Sequence, residues 1–454
     1  MSNINPSIFK AYDIRGVYPE EINEDAAYKI GQAFVKFLEN EGRVGNRQIV
    51  VGRDTRESSQ DLFDALTQGL LSQGADIIDI GAASTPLFYW AIINQSAAGG
   101  IMITASHNPA QYNGFKICAG QARSIGLENG LAKIRDLAAG SDFTIGAAVG
   151  KTTEKNLLSG YVDFVLENFA VKDLKPLKVI IDCGNGMAGP EILEIIKKLP
   201  WQTEVLYAQP DGRFPNHEAN PIKEETLAAL KEKVLSGKAD LGAAFDGDGD
   251  RVAFLDEKGG LVRGDFVTAL IAREILKKEP GQKIFYEVRT SKVVPEIVKE
   301  NRGMPILGRP GHAPIKEQMR KEDILFGGEL SGHYFYKKLG FIENTLFTML
   351  EMARVINIEQ KSLSEIIAPL KKYFVSGEIN FKVGEPDKIL ADIEQKYSGA
   401  EIKKIDGLTV IYPDWWFNLR KSNTEPLVRL NMEADSAELL EEKKKEVIDL
   451  IEKS

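Results

Sequence analysis

The chain is short of thiols, of histidine and of positive charge. Its 454 residues include two cysteines, Cys118 and Cys183, with no metal-type spacing. That excludes a disulfide framework and suits a reducing compartment, so a cytoplasmic location is the expectation. No two of the four histidines, His107, His217, His312 and His333, stand one helical turn apart, which excludes a paired-histidine zinc site. Lys and Arg number 57 against 66 Asp and Glu, a net charge of −9 that argues against nucleic acid as a partner. No apolar run approaches the ~18 residues of a membrane span. Met1-Ser2-Asn3-Ile4-Asn5-Pro6 lacks the basic and apolar regions of a signal peptide. Membrane and nucleic acid are therefore not expected partners; an anionic small molecule held by local basic loops is compatible with the balance.

What is present is ordinary globular material, 43% hydrophobic and 27% charged. The length predicts three or four domains. Helix and strand signals alternate through the first hundred residues, as in an α/β layer. Asn23 caps a helix with Ala27, Ile30, Phe34, Phe37 and Leu38 on one face; Ile49-Val50-Val51 and Ile77–Ile80 are strands around a helix at 59–72. The apolar periodicity weakens around 140–155. Two further α/β units follow, the first opening on Val179–Asp182 and the glycine-containing loop 183–190, whose glycines suit tight turns or a phosphate at the helix start. From about 370 the pattern becomes α+β, with strands expected at 374–383, 401–405, 408–412 and 427–433 and helices near 386–397 and 436–453.

The chemistry gathers on four loops. The first is Thr104-Ala105-Ser106-His107-Asn108-Pro109, directly after the apolar strand Ile101-Met102-Ile103. It sets a hydroxyl, an imidazole and an amide at a strand end, where open α/β sheets bind ligands. Asn113-Gly114 predicts a hairpin turn shortly after, which brings Lys116 back near Ser106. The second is Asp246-Gly247-Asp248-Gly249-Asp250-Arg251. Three carboxylates on one tight loop repel one another unless a cation intervenes, and hard oxygen ligands suit Mg²⁺, Ca²⁺ or Mn²⁺. An EF-hand is the alternative, since Glu257 falls at the twelfth position, but Arg251 stands where that loop needs glycine and strands flank it.

On the third loop Glu329, Ser331 and His333 alternate, and in extended backbone they point one way, which suits vicinal sugar hydroxyls. The fourth, Arg420-Lys421-Ser422-Asn423-Thr424-Glu425-Pro426, joins cations to small residues that expose backbone N–H groups, a phosphate-holding combination. Together they point to phosphoryl transfer, whose catalysis is mainly positioning and charge neutralisation.

With these motifs in this order, the chain resembles the α-D-phosphohexomutase family, in particular its phosphomannomutase/phosphoglucomutase group. The resemblance runs nearly end to end through Lys10–Gly16, Thr104–Pro109, Tyr112–Lys116, Asp246–Arg251, Gly327–His333 and Arg420–Pro426. It implies three related α/β domains with mixed sheets and a smaller α+β C-terminal domain around a central cleft, divided as 1–152, 153–256, 257–370 and 371–454. It implies a phosphoserine at Ser106 and Mg²⁺ held by Asp246, Asp248 and Asp250 with the Ser106 oxygen. Glu329 and Ser331, with His333 beside them, would read sugar hydroxyls. Arg420, Ser422, Asn423 and Thr424 would hold the phosphate not being transferred. Tyr12, Arg15, Asn108, Lys116, Arg251, Arg289 and His312 fall where the family lines its cleft. Lys116, Arg15, His107, His312 and His333 are the candidate catalytic side chains beside Ser106.

The implied reaction interconverts hexose 1-phosphate and hexose 6-phosphate of mannose or glucose through a hexose 1,6-bisphosphate, in a monomer or weak dimer. The chain departs from the family at Phe341-Ile342-Glu343-Asn344, where relatives often carry an acidic pair, and at Arg289, where lysine also occurs. Alternatives are a phosphoglucosamine mutase, against which Leu330 leans because that group usually has a polar residue there, a serine-dependent sugar phosphatase, and a non-catalytic sugar-phosphate or Ca²⁺-binding protein.

Overall fold

The apolar runs form the buried strands of four sheets. The computed structural model describes residues 4–42, 47–140, 143, 150–421 and 427–453. In the first sheet Gly99–Ile103, Gln48–Arg53, Asp76–Ala82 and Thr152–Glu154 run parallel, and Tyr112–Ala119 and Ile14–Val17 continue the sheet antiparallel. The second sheet joins Gln202–Leu206, Lys178–Asp182 and Leu241–Phe245 in parallel, then reverses through Val252–Leu255 to Leu261–Val262. The third repeats the plan: Met304–Gly308, Lys283–Glu287 and Phe326–Gly328 are parallel, and Tyr334–Tyr336 and Ile342–Glu343 return antiparallel. The fold is thus three α/β domains with mixed sheets, followed by a C-terminal domain whose sheet is antiparallel among the described residues. The strand Leu261–Val262 lies beyond the division read at residue 256.

Each mixed sheet reverses direction at the same place, where a buried parallel strand turns back into an antiparallel partner. The three reversals, 104–111, 246–251 and 329–333, are the serine, aspartate and Glu-Ser-His loops. The Arg420 motif likewise joins the paired strands Trp415–Lys421 and Leu427–Ala434.

Local expectations fail where tertiary packing overrides them. Asn113-Gly114 is not a turn: both residues lie inside Tyr112–Ala119. A Cβ at Gly114 would stand 2.0 Å from the Ile14 carbonyl, and buried Asn113 donates to Ser58 and Ser59 hydroxyls at 2.9 and 3.1 Å. The turn is the serine loop itself, and Lys116 still returns beside it, paired with Met102. The expected strand 374–383 is two pieces, Phe374–Val375 and Ile379–Lys382, separated at left-handed Gly377. Trp415–Lys421 is a strand that alternation did not mark, so Arg420 and Lys421 sit in a strand rather than a loop. In the 183–190 loop Gly186 packs against the aspartate loop, with its missing Cβ 2.8 Å from the Asp246 carbonyl.

One apolar core runs through the first three domains. Its link is the helix Thr85–Asn94, where Leu87, Phe88, Tyr89, Trp90, Ala91 and Ile92 are all buried. The fourth domain has a core of its own, with Trp415, Phe417, Leu430 and Val447. Among the described residues no helix is long and apolar enough to cross a membrane.

At the junction of the first two domains Glu191 is buried against Ser84, the N-cap of that linking helix, with one carboxylate oxygen lacking a partner among the described residues. Burial pushes its carboxyl up to about 8. A carboxyl raised in the folded state contributes most stability below its unfolded value near 4.3 and loses that contribution as pH rises through about 8. Glu191→Gln is therefore expected to leave Tm nearly unchanged at pH 4.5 and to raise it by about 2 °C or more at pH 8.5. Thermal melts across that range check the sign.

Candidate active site

Three loops and the strand that carries Arg420 meet at one cavity of about 1080 Å³ between the domains. From the first domain it is lined by Tyr12, Arg15, Ser106, His107, Asn108 and Lys116, and from the second by Arg251. The third contributes Arg289, His312, Glu329, Ser331 and His333, and the fourth Arg420. Ser422, Asn423 and Thr424 lie outside the described residues. His217 instead pairs with Asp182 at 3.1 Å, away from the cavity lining. Arg263, Glu378, Trp416, Arg429 and Asn431 also line the cavity. Sequence gave no mark for them, because each comes from a strand or turn that only tertiary assembly brings here.

Ser106 has a left-handed backbone, φ 51°, unusual for a residue with a Cβ and worth about 1–3 kcal/mol of strain. Its N–H donates to Thr104 Oγ1 at 2.9 Å, and that hydroxyl donates to Asp54 at 2.8 Å. The loop is wrapped around one buried guanidinium. Arg56 donates to the carbonyls of Ser106, Asn108, Pro109 and Tyr112 at 2.8, 2.7, 2.6 and 3.0 Å, while its Nε donates to Asp54 at 3.0 Å. The sequence shows only an Asp-Thr-Arg tripeptide after a strand, and nothing local says that a later loop will close over it.

The hydroxyl of Ser106, itself 2% exposed, donates to Asp246 Oδ2 at 2.8 Å. The two loops touch: a Cβ at Gly247 would lie 2.6 Å from the Ser106 carbonyl, so only glycine fits there. Asp246, Asp248 and Asp250 are wholly buried, with ligand oxygens all within 4.8 Å of one another. Thr85 donates to Asp248 Oδ2 at 2.7 Å, and the Arg251 N–H to Asp246 Oδ1 at 3.1 Å.

Lys116 compensates part of this charge. Its ammonium is 2.7 Å from Asp248 Oδ2 and bonds Asp250 as well. Burial opposes its charge, but the two carboxylates win and hold it above the ordinary lysine range. One ammonium cannot balance three carboxylates. Burial and the neighbouring Asp248 and Asp250 push Asp246 well above the carboxylate range, and Asp248 Oδ1 has no hydrogen-bond partner among the described residues. An orphaned hard oxygen within a cluster of three carboxylates whose ligand atoms lie this close fits a divalent cation.

His333 extends the network into the third domain. Its Nδ1 lies 2.8 Å from Glu329 Oε2 and its Nε2 3.3 Å from Asp250 Oδ1. Burial alone would lower its affinity for a proton, but Asp250 and Glu329 prevail and bring it up to about 9. His107, with Nδ1 3.1 Å from Ser106 Oγ, goes the other way: burial and the charges of Arg251 and Arg15 keep it well below the usual histidine range. Glu329, Ser331 and His333 do converge, through a turn rather than an extended segment. The Glu329 N–H donates to the His333 carbonyl at 2.9 Å, and Ser331 Oγ lies 3.0 Å from His333 Nδ1.

Arg15 donates to Asn108 Oδ1 at 2.6 Å and pairs with Asp13. The Gly311 N–H and Arg289 reach Glu329 Oε1 at 3.1 and 3.3 Å. Across the cavity Arg420 is paired with Glu378 at 2.8 Å.

Removing Arg56 strands Asp54 and four carbonyls in a dry interior. Arg56→Met is expected to cost about 3–5 kcal/mol of unfolding free energy. Urea denaturation measures it, and a cost below about 1 kcal/mol would show that the guanidinium is no anchor.

The comparisons agree with this geometry. Residues 6–144, 159–260 and 263–373 match the phosphoglucomutase/phosphomannomutase α/β/α domains I, II and III, and residues 378–450 match the C-terminal domain. The chain is 39% identical over 436 residues to a phosphomannomutase of Escherichia coli K12, covering 94% of each chain. It is 37% identical over 447 residues to a protein named phosphohexose mutases from Xanthomonas campestris, covering 98% of each. A crystal structure of a phosphoglucomutase/phosphomannomutase family protein from Burkholderia thailandensis superposes with TM-score 0.90 at 33% identity, covering 99% of this chain and 97% of that one. With all four of its domains matched in order, the chain belongs to the phosphoglucomutase/phosphomannomutase family and is a phosphohexomutase, an intramolecular phosphotransferase.

Proposed function

We propose that the enzyme interconverts the 1-phosphate and 6-phosphate of mannose, glucose or both, through phospho-Ser106 and a hexose 1,6-bisphosphate. The observation that carries this is the seating of Ser106: a hydroxyl 2.8 Å from an aspartate of the carboxylate cluster, in the lining of a cavity that Arg420 also lines. Asp246, Asp248 and Asp250 with the Ser106 oxygen are the residues that would hold Mg²⁺, which would neutralise charge on the phosphoryl group in flight.

Each side chain then has a task set by its charge. Lys116, kept protonated between Asp248 and Asp250, is a fixed cation beside the serine oxygen. Arg15 and Arg251 add positive charge at the same end. His107 is neutral and close enough to exchange a proton with the Ser106 hydroxyl. His333 is protonated between Glu329 and Asp250 and adds a positive charge to the cavity lining. Glu329 and Ser331 are placed to read sugar hydroxyls. Arg420, exchanging Glu378 for a phosphate, holds the group that is not transferred, with Ser422, Asn423 and Thr424 following it in sequence. Ser106 is 2% exposed, and limited access of water to the serine supports a mutase over a phosphatase.

A coupled assay with glucose 1-phosphate and mannose 1-phosphate, Mg²⁺ and a trace of the 1,6-bisphosphate tests the proposal. The 6-phosphate should form, stop on chelation, and fall about a thousandfold or more in Ser106→Ala. Free phosphate without 6-phosphate would instead indicate the phosphatase, and turnover of glucosamine 6-phosphate alone the phosphoglucosamine mutase. Arg420→Ala is expected to raise KM about tenfold or more with a smaller change in kcat, because it loses a charge-assisted phosphate contact present before and during transfer.

A further inference from the structure

Behind His312 sits a buried cluster of charge, separate from the carboxylates around Ser106. Lys316 lies on the same helix, His312–Glu322, and is 1% exposed. It donates to Glu343 Oε2 at 2.9 Å, and its ammonium rests 3.8 Å from the centre of the Tyr89 ring. Glu343 belongs to the short strand Ile342–Glu343 and is wholly buried. Its second oxygen, Oε1, has no hydrogen-bond partner among the described residues, and it faces His312 Nδ1 at 3.9 Å. Neither ring nitrogen of His312 has a partner among the described residues either, while the Tyr12 ring meets the imidazole edge-on at 6.1 Å.

Two orphaned groups thus face each other just beyond hydrogen-bond reach, each costly to leave unpaired in a dry interior. Apo geometry around catalytic histidines is often loose and tightens with substrate bound. Of the two ring nitrogens only Nδ1 points at a carboxylate, so pairing there fixes the tautomer and turns Nε2 elsewhere. Lys316 holds the other oxygen of Glu343, leaving Oε1 to the histidine. It also adds to burial in keeping His312 well below the usual histidine range, so the imidazole is neutral.

We infer that Glu343 is the positioning residue for His312: when the cleft closes, Glu343 Oε1 accepts the Nδ1–H bond and the Nε2 lone pair is presented to the sugar phosphate. The inference rests on the sugar phosphate of the proposed reaction occupying the cavity that His312 lines. The sequence motif Phe341-Ile342-Glu343-Asn344 then keeps one carboxylate where the histidine needs it.

The test has two arms. In the wild-type enzyme saturated with glucose 1-phosphate, imidazole ¹⁵N shifts report the tautomer of His312, assigned by its loss in His312→Gln. An Nδ1–H tautomer is expected; an Nε2–H tautomer would overturn the inference. This arm needs no change at Glu343. In the second, Glu343→Gln with Lys316→Met removes both charges together, so that no lone ion is left buried. The pair is expected to lower kcat about 10- to 100-fold with KM within about threefold, the size of effect of losing an orienting partner. Wild-type kcat in that variant would also overturn it. Wild-type turnover by His312→Gln would remove His312 from the reaction, while the tautomer still decides its pairing with Glu343.

Discussion

Three buried carboxylates on one six-residue loop are the constraint on which the rest of the molecule depends. Like charges in a dry interior repel strongly, and each pays several kcal/mol for leaving water. The second domain, which carries Asp246, Asp248 and Asp250, does not supply enough compensation by itself. It comes from neighbours: Lys116 and the Ser106 hydroxyl from the first domain, His333 from the third. Charge balance and domain arrangement are therefore one problem. The apolar core continuous through these three domains holds the partners at the distances that charge balance requires.

The repeated reversal in the sheets explains why such different chemistry assembles at one place. Each α/β domain ends its parallel run on a buried strand and turns back at the carboxyl end, where α/β sheets expose loops to ligand. A rigid strand pair anchors both ends of every such loop, so side chains there are placed more firmly than on a long free connection. One domain fills this position with a serine, the next with aspartates, the third with a Glu-Ser-His set, and evolution of one loop leaves the sheets untouched.

The reactive loops were legible in sequence because loops concentrate polar residues that a core would reject, and spacing such as Asp-Gly-Asp-Gly-Asp leaves few structural explanations. The buried parallel strands were legible for the opposite reason, as short apolar runs between turn signals. What could not be read was decided at long range. Asn113-Gly114 looks like a turn until Ile14 is packed against it. Trp415–Lys421 is buried along most of its length and so shows no polar alternation. Arg56 and Lys316 are charged residues inside the protein, and their partners lie far away in sequence or on another element. Ser331 and Glu329 were expected to share a face by extended alternation, yet a turn brings them together.

The separate core of the fourth domain has a consequence for timing. Its contact with the third domain is largely polar, as in the Lys292–Asp435 ion pair and the Glu433 carboxylate that accepts from the Lys292 N–H and the Trp416 indole. Parting that contact would exchange polar groups for water and leave the core of the fourth domain whole, whereas parting the other three would open a shared apolar core. The bisphosphate of the proposed reaction, turned end for end, would need room for a moment without being let go. The polar joint lies on the side that carries Arg420, and the joints that share an apolar core lie around Ser106, so parting the first leaves the second intact.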